Sequence, residues 1–305
     1  VTSNVIVVGS ANQDYVIDST GLPEPGETRL ANGMKKLTGG KGANQAVAAA
    51  RLGAAVHFVG AIGDDDDGRR MITALRDEGI DTEAVEVTDE PTGLALVNVL
   101  PGGENAITVV PGANFTVTAD RAAEEVRRLA ASGGVLVVQA EIPVNTIGAA
   151  VAAADEAGLR PVINLAPYTQ LPDEVLALAD PLVVNEVEAA DMIGRIIRDI
   201  PEVLEAAAEL VGRARSVVIT LGGAGACWAT ADDSGHVAPP PVDEVVDTTG
   251  AGDAFVGGLA RQLAESADLA AAVRYGVAVG TFAVTRAGAQ PSYPTPEELE
   301  GALSA

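Results

Sequence analysis

A series of short, unbroken apolar runs constrains this chain more than any other feature. Val5–Val8, Val56–Ala61, Val135–Val138, Pro161–Asn164, Leu182–Val184 and Ser216–Leu221 do not alternate with polar residues. A strand apolar on both faces is covered on both faces, as in a parallel sheet between helices. Helical patterns separate several of these runs, at Gln45–Arg51, Asp64–Glu78, Asp120–Ala131 and Ile147–Ala157. The rhythm predicts an α/β fold with a mostly parallel sheet. One region departs from it. Thr92–Leu100 and Asn105–Val110 flank the turn signal Pro101-Gly102-Gly103, which predicts a hairpin with no helix between its strands. Such an insertion is a candidate lid or interface element. Glu27–Thr38 reads as a further, loosely patterned strand.

The stretch Val246–Leu259, VDTTGAGDAFVGGL, carries the strongest chemical signal. Val245-Val246 reads as a strand end, Thr249–Gly252 as a flexible turn, and a helical pattern starts at Asp253. Small residues at a helix start leave backbone N–H groups open, and the helix dipole favours an anion there. Gly250 and Gly252 are expected to let a ligand approach, since a Cβ would stand in its way. Asp253 would repel a resident anion unless something transfers between the two. That combination suggests a base beside an anion hole. The plainer alternative is an N-capped helix with Asp253 as the cap.

Composition narrows the partners. The chain has 305 residues, of which 48% are hydrophobic, enough for one large domain with a sizeable core. Asp and Glu total 43 against 19 Lys and Arg, a formal charge of −24. A nucleic acid or an anionic membrane surface would be repelled. No run is long enough to span a bilayer and no basic-then-apolar leader opens the chain, so a soluble cytoplasmic protein is expected. Acid excess with few lysines suggests adaptation to high salt; greatest stability in dilute buffer would contradict that. Cys227 is the only cysteine, and His57 and His236 the only histidines, so disulfide, zinc and histidine chemistry have little to work with.

Other candidates lie at expected strand ends, where open α/β sheets bind ligands. Asn12 and Asp14 follow the first run, and Glu141 follows the third; an amide and carboxylates are the groups that grip sugar hydroxyls. Gly39-Gly40-Lys41-Gly42-Ala43-Asn44 opens a helix yet is neither a Walker A nor a dinucleotide motif. It offers a second close backbone approach. Asn185 and Glu188 form an approximate capping box, and the same pair is able to hold waters on a magnesium ion. Gly222–Gly225 sits between two strands and is open enough for an adenine or its phosphates. The acids Asp64–Asp67 read as a structural helix start.

Taken together, Gly39–Gln45, Asn185-x-x-Glu188 and Asp247-Thr248-x-Gly250-Ala251-Gly252-Asp253 resemble the ribokinase-like (PfkB) carbohydrate kinase family, in order and spacing along essentially the whole chain. The resemblance implies a three-layer α/β/α core with a small β-sheet lid, within a single domain spanning 1–305, the lid drawn from about 14–38 and 92–110. It implies ATP-dependent phosphorylation of D-ribose at the 5-hydroxyl. Asp253 would be the base, and Gly250, Ala251 and Gly252 the anion hole. Asn12, Asp14, Gly40, Lys41, Gly42, Ala43, Asn44 and Glu141 would line the sugar pocket. Asn185, Thr220, Gly222, Gly225 and Gly252 would contact ATP, with Asn185 and Glu188 placing Mg²⁺ through water. A monovalent cation, usually K⁺, would lie near Asp247, Thr249, Ala283, Arg286, Gly288 and Ser292. The lid would also clasp a homodimer. Phosphoryl transfer needs positioning and charge stabilisation rather than a nucleophilic side chain, which agrees with the residue reading. Two alternatives stay open: a same-fold kinase for fructose, deoxyribose or adenosine, and a binding regulator without turnover. With 3% aromatics the chain offers little for stacking a nucleoside acceptor.

Overall fold

The computed structural model describes residues 4–100, 105–266 and 268–304. The strands are β1 (Asn4–Val8), β2 (Asn12–Asp18), β3 (Gly33–Gly39), β4 (Ala55–Gly63), β5 (Val85–Thr88), β6 (Gly93–Val99), β7 (Asn105–Val110), β8 (Val135–Gln139), β9 (Arg160–Asn164), β10 (Leu182–Asn185), β11 (Ser216–Thr220), β12 (Ala226–Thr230) and β13 (Ser234–Val237). The helices are α1 (Lys41–Arg51), α2 (Asp66–Asp77), α3 (Ala119–Leu129), α4 (Val144–Glu156), α5 (Asp173–Leu176), α6 (Glu186–Ile193), α7 (Ile200–Val211), α8 (Ala251–Glu265), α9 (Leu269–Ala283) and α10 (Pro296–Ser304).

A nine-stranded sheet runs β13-β12-β11-β10-β9-β8-β1-β4-β5. Its pairings are parallel from β10–β11 through β4–β5, and only the β11-β12-β13 edge is antiparallel. The period of two along β1 explains the layering. Ile6 and Val8 enter one core with residues of α3, α4 and α7, whereas Val5 and Val7 enter the other with residues of α1, α8 and α9. All four are fully buried, so this strand carries no polar face. The expected α/β class and three-layer core are what the chain forms.

The small sheet is four-stranded, in the order β3-β2-β6-β7, with β2 and β6 parallel and the outer pairs antiparallel. Thus β6 and β7 form the expected hairpin, whose turn at 101–103 lies outside the described residues. The expected strand over Glu27–Thr38 is shorter, beginning only at Gly33; residues 27–32 are exposed and lie outside the β2–β3 ladder. Val245-Val246 is not a strand end. Both valines are exposed, and the N–H groups of Val246 and Asp247 donate to Val284 O instead. The helix expected over Leu269–Arg286 ends at Ala283.

Candidate active site

Because the central strands are parallel, their C-terminal ends lie along one edge of the sheet. β1 delivers Ser10 there, β8 delivers Gln139 and Glu141, β9 delivers Asn164, and β10 with β11 delivers Asn185 paired to Thr220. Helices α1 and α8 pack on each other and on β1, so both their N-termini open onto this edge. Both are candidate anion sites, and hydrogen bonding decides between them.

The N-terminus of α1 is filled by the protein. The N–H of Lys41 donates to Glu141 Oε2 at 3.1 Å, Gly42 to Ser10 Oγ at 3.3 Å, and Ala43 to Ser10 O at 2.9 Å. Ser10 Oγ also donates to Glu141 Oε2 at 2.5 Å. The carboxylate of Glu141 therefore occupies the position an external anion would take. A Cβ at Gly42 would lie 2.6 Å from Ser10 N, so that glycine lets α1 abut the β1–β2 turn. The glycines of this motif thus serve the packing of α1 against the β1–β2 turn.

The N-terminus of α8 is open. Ala251 donates to Thr248 O at 3.2 Å and Ala254 to Gly250 O at 2.9 Å, but among the described residues Gly250, Gly252 and Asp253 have no protein acceptor for their N–H groups. The helix begins at Ala251 with Gly250 as N-cap, so Asp253 stands at the third helical position and is not the cap. Its side chain faces inward, 8% exposed. Oδ2 accepts from Asn44 Nδ2 and Oδ1 from Gln45 Nε2, both at 2.9 Å. The glycines differ in role. Gly250 has φ +75°, and a Cβ there would meet Ala289 Cβ at 2.6 Å and the Tyr293 hydroxyl at 2.7 Å, so its smallness serves the fold. Around Gly252 nothing lies within 4 Å of a built Cβ, leaving its front face clear for a ligand.

Asn12 and Asp14 belong to β2 of the small sheet, rather than to a loop after β1. Asn12 is held by Asn114 Nδ2, which donates to its Oδ1 at 2.7 Å. Asp14 Oδ1 is buried without a partner. Burial, followed by the charges of Glu141 and Asp253, pushes the Asp14 carboxyl up to about 7. For Lys41, burial pulls the ammonium down, but the carboxylates of Asp253, Glu141 and Glu188 outweigh it and its pKa is raised. Four carboxyl groups and one ammonium thus converge from the small sheet, α1, β8, α6 and α8. An unpartnered buried acceptor in such a cluster suits polyhydroxylic donors.

The raised Asp14 value has a stability consequence. Between the ordinary carboxylate range and about pH 7 the folded protein holds a proton that the unfolded chain has lost, so stability falls as pH rises through this window. Asp14→Asn removes the effect. Its stability advantage over the parent in the ligand-free state should widen by on the order of 2 kcal/mol between pH 5 and pH 8. Denaturant titrations at the two pH values read this directly, and a constant gap would contradict it.

On the opposite flank, Asn185 and Glu188 form a complete capping box: each backbone N–H donates to the other's side chain at 2.8 Å. Thr220 Oγ1 donates to Val184 O at 3.4 Å. Gly222 has open space around it, whereas Gly225 lies tight beneath Val237 of β13. Asp247 holds two members of the remaining predicted group, Thr249 and Gly288. Its Oδ1 accepts from Thr249 N at 2.9 Å and its Oδ2 from Gly288 N at 2.8 Å. Burial opposes its charge, but these donors win and its pKa is lowered. Ser292 is fully buried and donates to Ala289 O, while the Arg286 N–H donates to Ala283 O. The Arg286 side chain turns away to Glu298 at 2.9 Å, leaving its carbonyl as its possible contribution.

Four polar residues around Asp253 are absent from the expected site: Gln139, Asn164, Gln290 and Thr38. The first two end the buried apolar runs Val135–Val138 and Pro161–Ile163 of β8 and β9, a polar terminus that marks them in the sequence.

An open helix N-terminus beside a fixed inward carboxylate, with polar groups of a separate small sheet nearby, is an arrangement suited to moving a phosphoryl group onto a hydroxyl. The profile of the pfkB family carbohydrate kinases matches residues 2–296, and the chain belongs to that family. It is 38% identical over 300 residues to the bifunctional ribokinase/ribose-5-phosphate isomerase A of Fructilactobacillus sanfranciscensis, covering 97% of this chain and 55% of that protein. The ribokinase of Haemophilus influenzae is 37% identical, with 96% of this chain and 95% of that one covered. The deoxyribokinase of Salmonella typhi is 34% identical, with 99% of each covered. The structure is similar to that of Arabidopsis thaliana ribokinase complexed with ribose and ATP, with a TM-score of 0.91, 31% identity and full coverage of both chains.

Proposed function

We propose that this chain transfers the γ-phosphoryl group of ATP to the 5-hydroxyl of D-ribose. The observation that carries this reading is the contrast between the two helix N-termini: α1 is closed by Glu141, whereas α8 is open and carries Asp253. Asp253 accepts the hydroxyl proton, and the free N–H groups of Gly250, Gly252 and Asp253 take up charge on the phosphoryl oxygens. Asn12, Asp14 and Glu141 orient the other sugar hydroxyls; Lys41 offsets the crowded carboxylates. Asn185, Thr220, Gly222 and Gly225 border the nucleotide side. The ribokinases among the relatives favour ribose as acceptor, and the deoxyribokinase makes 2-deoxyribose the competitor to test.

The site residues fit two cations differently. Carboxylate, hydroxyl and carbonyl oxygens around Asp247, Thr249, Ala283, Arg286, Gly288 and Ser292 form a hard donor set for K⁺, since Asp247 pins the two loops together. The capping box already uses one oxygen of Asn185 and one of Glu188, so that pair fits Mg²⁺ through waters. Bound cations would supply positive charge to the phosphates, which matters more on a chain of charge −24. We also read the four-stranded sheet as a lid within a single-domain kinase working in the cytoplasm. Val109 and Ile107, 41% and 58% exposed, alternate onto the same sheet face as Asp14 and suit a homodimer clasp, which sedimentation mass tests.

The experiment is ADP release from ATP with ribose, 2-deoxyribose, fructose or adenosine, at low and high salt with MgCl₂. KCl is compared with tetramethylammonium chloride at equal ionic strength. Turnover should be highest with ribose and higher in KCl. A better acceptor would reassign the sugar, equal rates in the two salts would remove the K⁺ site, and silence throughout would leave a binding regulator.

A further inference from the structure

The polar contacts around Asp253 form two amide chains, each running head to tail toward the carboxylate. In the first, Gln139 Nε2 donates to Gln45 Oε1 at 2.7 Å, and Gln45 Nε2 donates to Asp253 Oδ1 at 2.9 Å and to Asn164 Oδ1 at 2.8 Å. Gln45, Gln139 and Asn164 are all buried, the latter two at ends of central strands, so this arm is anchored in the core. In the second, Thr38 Oγ1 donates to Gln290 Oε1 at 2.7 Å, Gln290 Nε2 to Asn44 Oδ1 at 2.9 Å, and Asn44 Nδ2 to Asp253 Oδ2 at 2.9 Å. This arm is anchored in the small sheet, since Thr38 is the penultimate residue of β3.

The direction of each chain is dictated by its end. An ionised carboxylate only accepts, so both neighbouring amides turn their NH₂ groups toward it, and each turn fixes the amide behind. Arg51 Nη1 donates to the backbone O of Gln290 at 2.6 Å, while its Nε and Nη2 are held by Glu78. The Gln290 backbone is thus fixed, and its side chain bridges Thr38 of β3 to the Asn44 amide, beside the chain connection through Gly40, whose O accepts from Asn44 N at 2.9 Å.

We propose that Gln290 is a positioning residue for Asp253, linking the carboxylate's Oδ2 to lid strand β3. The proposal rests on the reading of Asp253 as the base that takes the sugar proton. With one oxygen tied to the core and the other to the lid strand, displacement of Thr38 rotates the carboxylate, so sugar-side closure sets its orientation.

The test is a double-mutant cycle with Gln290→Met and Thr38→Val, measured beside the parent with ribose, ATP, MgCl₂ and KCl. Gln290→Met should lower kcat about 10- to 100-fold, the scale of a small misplacement at a reacting group, with KM for ATP unchanged. Thr38→Val should lower kcat less, and should add nothing on the Gln290→Met background. An unchanged kcat in a folded Gln290→Met protein, or multiplying effects of the two changes, would overturn the proposal. Should Gln290→Met not fold, Thr38→Val alone decides: reduced kcat at unchanged Tm supports the link, and parental kcat overturns it. If the parent phosphorylates no sugar, the proposed function fails and this inference with it; a parent that turns over beside equally active variants sinks the inference alone.

Discussion

Asp253→Asn should lower kcat by roughly 10²- to 10⁴-fold, the usual contribution of a positioned general base, while ribose and ATP still bind. The substitution keeps the shape of the side chain. It also puts one NH₂ group where the carboxylate now accepts from Asn44 and Gln45, so one of those contacts is lost. Folding should tolerate that, because α8 is held by Phe255, Leu259 and Leu263 in the core and not by this side chain. Isothermal titration with ribose, paired with turnover, separates the roles. Retained turnover would mean Asp253 is not the base; loss of both binding and turnover would mean it is structural.

The second large effect is a contrast between neighbouring glycines. Gly250→Val should destabilise the protein by about 3 kcal/mol or more, because a β-branched residue is strained at φ +75° and its Cβ meets Ala289 and Tyr293. Gly252→Ala should leave Tm unchanged or slightly raised, since alanine favours the helix and a Cβ there meets no protein atom. Its methyl group instead projects into the open face, so kcat/KM for ATP should fall by about tenfold or more. Thermal melts and kinetics on the two variants check both halves. Equal Tm values for the pair, or full activity in Gly252→Ala, would contradict the assignment of Gly250 to the fold and Gly252 to the ligand.

The main sheet was legible in the sequence because its strands are buried on both faces and read as unbroken apolar runs. β5 and β13 escape that signal: both are edge strands, short and half-exposed, with Glu86 in one and Ser-Gly-His in the other. The small sheet was legible only through its turn chemistry, since its strands carry an open face. Within the site, residues inside compact motifs were identifiable, among them Asn44, Asp247 and Asp253. Their distant partners were not. Thr38 and Gln290 are 252 positions apart and meet only through the packing of β3 beside the turn after α9. The two glycine-bearing helix starts also look alike in sequence. What separates them is Glu141, 100 positions from the Lys41 N–H it accepts from, and no local pattern reveals that.

The most direct test of the central claim is to locate the phosphate on the product. The chain is incubated with ATP and ribose, and proton–phosphorus correlation NMR then identifies the esterified carbon. A phosphate on C5, formed in step with ADP, is the predicted result. Phosphate on another carbon, or ADP accompanied only by free inorganic phosphate, would contradict the placement of Asp253 against the 5-hydroxyl.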